Sequence, residues 1–199
     1  MIAHPSDGIR VWDPLVRVFH WSLVVFFFAA YLTEDDFLTV HVWAGYTVAL
    51  LVAFRLVWGV IGSPYARFTA FVRSPSAVAA YLRDMLRFNV PHYLGHNPAA
   101  GAMVIALLVS LILVSVSGMS IIASEGQGPL AGTFFAALDA EWMEEIHEFF
   151  ANLTLLLVFL HVAGVLFSSM LEGQNLPRAM ITGIKKYRDD YVDLERRNK

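Results

Sequence analysis

No cysteine occurs among the 199 residues. Disulfides, thiolate-held iron–sulfur clusters and the C-x-x-C-H attachment of c-type haem are thereby excluded. Charge is also scarce. Asp, Glu, Lys and Arg make up 16% of the chain, against roughly 25% in soluble domains. The net charge is −3, and no nucleic-acid partner is expected. The opening stretch MIAHPSDGIRVWDPLVRVFHW lacks an apolar run followed by a small-residue cleavage site, so it reads as mature sequence rather than a signal peptide. What fills the space left by charge is apolar: 57% of residues are hydrophobic and the mean hydropathy is +0.58. Soluble domains run at roughly 45–50% apolar.

The apolar residues fall into four spans, at about 17–33, 39–61, 99–123 and 146–170. Each is long enough for a bilayer core about 30 Å thick. The expected fold is therefore an all-α integral membrane protein, a four-transmembrane-helix bundle in one domain over 1–199. Asp13 and Pro14 suit the N-cap and first turn of the opening helix. Trp12, Trp21 and Tyr31 sit near its ends, where amphipathic aromatics prefer the interface. Between the second and third spans, 76–88 has apolar positions at helical spacing and reads as a surface helix. The third span carries Gly101, Ser110, Ser115, Ser117 and Gly118, small residues that let helices approach. From 172 to 199 the chain is a charged tail, with a short helix expected through Tyr187.

A local absence sets the orientation. The loops after spans one and three contain no Lys or Arg. They hold Glu34, Asp35, Asp36, Glu125, Asp139, Glu141, Glu144 and Glu145 instead. Arg10, Arg17, Arg67, Arg73, Arg83, Arg87 and the seven basic residues of the tail all lie on the other side, and Arg55 sits in a span near that same surface. The positive-inside rule then places both termini in the cytoplasm. The opposite, acidic face suits steering of a basic soluble partner.

Histidines inside apolar spans are costly unless something uses them. Span four has two, His147 and His161. Fourteen residues separate them, roughly 21 Å along a helix, and the second returns to within roughly 40° of the first. Topology supplies a match for each. His20 starts span one, on the inner side with His161. His41 starts span two, on the outer side with His147. Two imidazoles facing across a bundle core make a bis-histidine, six-coordinate iron site suited to electron transfer. Zinc would want three or four ligands in a tetrahedron. The four metal-ligand candidates are thus His20, His161, His41 and His147.

Two arginines join them as candidates to hold the cofactor. Arg55 lies fourteen residues after His41, at the depth of the inner pair, where a buried guanidinium wants an anion such as a haem propionate. Snorkelling to lipid headgroups is its bland alternative. Arg17, one turn before His20, is the second candidate. His4, His92 and His96 lie in polar context and read as solvated or structural. Met119 and Met143 are at outer depth and are weaker ligand candidates than the histidines. The run Phe26, Phe27, Phe28 reads as lipid-facing or packing.

The segments R-V-F-H-W (17–21), H-V-W-A-G-Y (41–46), L-V-W-G-V-I-G-S-P-Y-A-R-F (56–68), Y-L-G-H-N-P-A-A-G-A-M-V (93–104) and H-E-F-F-A-N…H-V-A-G (147–164) resemble the bacterial cytochrome b561 / nickel–iron hydrogenase b-type cytochrome family. The likeness covers nearly the whole chain. It implies a four-helix membrane cytochrome with two haem b groups, ligated from helices one, two and four. It also implies electron exchange between membrane quinone and a periplasmic redox partner, a c-type cytochrome or a hydrogenase, in the bacterial inner membrane and its respiratory chain. The wider group includes a member that oxidises superoxide. A superoxide:quinone oxidoreductase using the outer haem is therefore the alternative, although the lack of outer Lys and Arg counts against it. Whether the chain is an enzyme in its own right or an electron-transfer subunit stays open at this point, as does assembly into a homodimer.

Overall fold

The structure, a computed structural model, describes residues 8–34, 36–186 and 191–192. Seven α-helices occur among them: α1 Pro14–Leu32, α2 Leu38–Ile61, α3 Phe68–Phe71, α4 Pro75–Leu86, α5 Pro98–Ser124, α6 Ala140–Glu172 and α7 Leu176–Thr182. Four of these, α1, α2, α5 and α6, are long and apolar enough to cross a membrane. Four two-residue strands, β1 Ile9–Arg10, β2 His92–Tyr93, β3 Ile184–Lys185 and β4 Tyr191–Val192, make two small pairings. β1 runs antiparallel to β3, and β2 runs parallel to β4.

Local chemistry explains where the helices begin. Asp13 Oδ1 accepts from Val16 N–H at 3.0 Å, with Pro14 at the first helical position, where its missing N–H costs nothing. Asn97 Oδ1 does the same for α5 through Ala100 N–H at 2.8 Å. Ser74 Oγ caps α4 through Ala77 N–H at 3.3 Å.

The apolar stretch expected at 146–170 is only part of its helix. α6 starts at Ala140, because Asp139 Oδ1 accepts from Trp142 N–H at 3.0 Å and caps a helix whose first two turns are acidic. The tail helix is shorter than expected. Gly183 takes φ +82° and closes α7 after Thr182, since a left-handed residue with its N–H on the Ala179 carbonyl stops a helix. Tyr187 lies outside the described residues.

Contacts divide the chain into two compact units. The first comprises the described residues of 1–20, 55–105 and 160–199. Its core includes Val11, Trp12 and Ala179, with Ile9, Tyr65 and Met180 packed against them, and Phe71 and Tyr81 are also buried. A buried ion pair, Lys185 Nζ to Glu172 Oε2 at 3.8 Å, fastens β3 to the end of α6. Burial lowers the pKa of Lys185, and Glu172 offsets part of that.

The second unit comprises the described residues of 21–54 and 106–159, and draws on α1, α2, α5 and α6. Phe27, Ala44, Val48, Val52, Leu108, Leu111 and Ala123 are its buried apolar residues among those described. Ser110 Oγ and Thr154 Oγ1, both buried, share a hydrogen bond of 2.7 Å between α5 and α6. Tyr31 donates to Asn152 Oδ1 at 2.8 Å, tying α1 to α6.

Candidate functional site

Each unit brings together one pair of histidines. In the second unit the rings of His41 and His147 have centroids 5.9 Å apart at 75°. In the first, the rings of His20 and His161 stand 6.4 Å apart at 52°. An imidazole nitrogen lies about 2 Å from a bound first-row metal and roughly 1 Å from its own ring centre. Two rings on one ion therefore have centres about 6 Å apart. Both separations fit that value. Among the described residues no group of three or more His, Cys, Asp or Glu converges on one metal position. Each pair offers two nitrogens and leaves the remaining coordination to a planar group.

Backbone carbonyls fix the rings of the second unit. His41 Nδ1 donates to Ala30 O at 2.9 Å, and His147 Nδ1 donates to Val114 O at 2.8 Å. With Nδ1 protonated, Nε2 carries the lone pair, the tautomer a metal ligand needs. Ala30 is on α1 and Val114 on α5, so all four long helices take part.

Gly118 on α5 makes room for the His147 ring. A Cβ there would stand 2.8 Å from Cε1 and 2.9 Å from Nδ1. Both histidines line an apolar cleft with Phe27, Gly45, Val48 and Val114. A Cβ at Gly45, one turn after His41, would meet nothing within 4 Å. Gly164, three residues after His161, has the same open space. The space beside each ring pair and the neutral nitrogen donors are what a macrocycle with axial imidazoles needs, so the residues present fit haem.

A cation in the first unit fits it too. Arg55 is 4% exposed. Its Nη2 donates to Ala66 O at 3.0 Å, and its guanidinium lies over the Phe68 and Phe71 rings at 5.0 and 5.9 Å. Nη1 is buried with no hydrogen-bond partner among the described residues. Arg17, the other arginine expected near a propionate, is differently engaged. Its Nη1 donates to the Ile181 carbonyl at the end of α7, while Nε is buried without a partner.

A family profile described as prokaryotic cytochrome b561 matches residues 11–183. The chain belongs to the prokaryotic cytochrome b561 family. It is therefore a multi-pass membrane cytochrome that binds b-type haem and transfers electrons. No curated protein and no solved structure matches it. In this b561 chain, two residues near the ring pairs have roles that sequence reasoning did not assign. Gly118 reads in sequence only as a small residue between helices. His96 reads as solvated or structural, and its ring packs on Trp12 at 4.6 Å and Phe71 at 4.7 Å. Its Nδ1 is buried without a partner. Burial, then the charges of Arg55 and Lys185, push the His96 pKa down to about 3. The signal for it was its place in the Gly95–Pro98 segment, one residue before the Asn97 cap that anchors this loop to α5.

Proposed function

We propose that this chain is a di-haem cytochrome b of the bacterial inner membrane, carrying electrons between the quinone pool and a periplasmic redox partner. The observation that carries the proposal is the pair of matched histidine sets, each two rings about one metal's span apart. His41 and His147 hold the outer haem, and His20 and His161 hold the inner one. Haem iron, when bound, supplies reversible one-electron chemistry. His41 with His147 and His20 with His161 would each hold a haem through two imidazoles, a ligand set that would favour electron transfer over binding of oxygen or substrate. Ala30 and Val114 lock the tautomer of the outer ligands. Arg55 gives the inner haem's propionate a buried cation. Termini in the cytoplasm follow from the distribution of Lys and Arg.

Quinol or quinone meets one haem from the membrane. A soluble partner docks on the acidic face, where Glu141, Glu144, Glu145 and Glu148 are exposed at the start of α6. A c-type cytochrome with a basic surface fits that face better than superoxide, an anion that the same carboxylates repel.

The test is a reduced-minus-oxidised spectrum of purified protein with a haem-to-chain ratio. Two b haems per chain are expected, and one would sink the two-site reading. His147→Ala should remove the outer haem and leave the inner one. Quinol-driven reduction of a basic c-type cytochrome should exceed superoxide-driven reduction of quinone. The reverse order would favour the superoxide reading.

A further inference from the structure

We propose that His96 and Arg55 together hold one propionate of the inner haem, with His96 as the neutral hydrogen-bond donor and Arg55 as the cation. The proposal rests on the reading of His20 and His161 as haem ligands. Three observations support it. First, Arg55 Nη1 and His96 Nδ1 are both buried polar atoms with no partner among the described residues. Buried donors in native proteins are almost always satisfied, so two such atoms together point to a missing acceptor. Second, the two groups are neighbours on one aromatic floor. The Phe71 ring packs against His96 at 4.7 Å and lies under the Arg55 guanidinium at 5.9 Å. Arg55 is 4% exposed and forms no ion pair among the described residues. The Asp13 carboxylate acts on it only from beyond ion-pair distance, so the buried Nη1 still wants an acceptor.

Third, the loop that carries His96 is fixed in place. Lys185 Nζ donates to the carbonyls of Tyr93 at 3.1 Å and Gly95 at 3.4 Å. Trp12 closes the other side of the His96 ring at 4.6 Å. This apparatus holds a ring whose Nδ1 is buried without a partner among the described residues. A carboxylate with two oxygens can accept from both groups at once. Lipid phosphate would offer the same chemistry from another source, so the test must separate the two.

Holoprotein carrying His96→Phe keeps a ring between Trp12 and Phe71 but loses the donor. It should release the inner haem roughly tenfold faster than the unaltered chain, the usual worth of a hydrogen bond to a charged group. Its inner-haem midpoint should also shift lower, while the outer haem stays unchanged. Arg55→Gln should act in the same direction and more strongly. His96→Gln, which returns an N–H donor, should recover part of the loss.

Full-length protein reloaded with haem dimethyl ester supplies the second arm. Esterification should speed inner-haem release in the unaltered chain and add little in His96→Phe, while raising the midpoint because it removes the propionate's negative charge. Unaltered inner-haem release and midpoint in His96→Phe would overturn the proposal. Insensitivity to esterification would also overturn it, because the anion is then not a propionate. An unaltered chain that binds no haem at His20 and His161 overturns the ligand reading itself, and this proposal with it.

Discussion

Gly118 shows how one missing methyl can decide a site. The His147 ring fills the space a Cβ would take, and Val114 O fixes that ring from the same helix. Gly118→Val should force the ring away at a cost of about 1–3 kcal/mol, as overpacking does. The expected outcome is loss of the outer haem with the inner one retained, read from the haem-to-chain ratio and from two-component redox titration.

Asp13 makes a prediction of a different kind. Burial works to raise its pKa, but hydrogen bonds from Ser63, Val16, Trp58 and Leu15 outweigh it and leave the carboxyl below its ordinary 3.8. A carboxyl with a depressed folded pKa stabilises the fold above the unfolded value, and the contribution is lost as pH falls through the folded one. Acid should therefore weaken the unaltered protein below about pH 4. Asp13→Asn, which still caps α1 but does not titrate, should show a flatter profile over that range in thermal unfolding. Asp13→Ala should cost about 1 kcal/mol at neutral pH through loss of the cap.

The helix ends reveal what periodicity alone leaves out. Hydropathy marks the bilayer-crossing part of each long helix, since that part must be apolar. It does not mark where the backbone stops being helical. α6 gains its acidic first turns from the Asp139 cap, and α7 ends where Gly183 turns left-handed. A Cβ at Gly183 would also lie 2.6 Å from Trp12 O. The same glycine's carbonyl accepts from Val11 N–H at 2.8 Å and Trp12 N–H at 3.2 Å. Gly183→Ala should therefore destabilise the first unit by about 1–2 kcal/mol. Faster hydrogen exchange at Val11 and Trp12 is the direct readout, and unchanged exchange there would count against this account.

The whole chain is polarised. Lys and Arg are absent from the loops after α1 and α5, while acids collect there. Because the chain has no cysteine, Gln127→Cys and Lys186→Cys, made singly, report orientation without background. An impermeant thiol reagent should label position 127 from the periplasm and position 186 only after the cells are opened. Reduction of a basic c-type cytochrome should slow on the order of tenfold as salt rises and screens the acidic face. Glu144→Gln combined with Glu145→Gln should lower the rate at low salt and remove most of that salt dependence. Equal rates at all ionic strengths would remove the docking argument.

Sequence by itself determined the four apolar helices, the uneven charge of the loops between them and the places of the four histidines along them, because bilayer thickness and helical pitch act on local sequence. It also carried which histidines come together: the pairs expected from position along the first, second and fourth spans have ring centroids 5.9 and 6.4 Å apart. Tertiary structure decided the rest. It set the carbonyls of Ala30 and Val114 against the outer rings, seated His147 over Gly118, turned Arg17 to the end of α7, and buried a nitrogen of His96 beside Arg55 and Phe71. These are contacts between residues far apart in the chain. No periodicity encodes them, because each depends on which side chain the packing leaves without water.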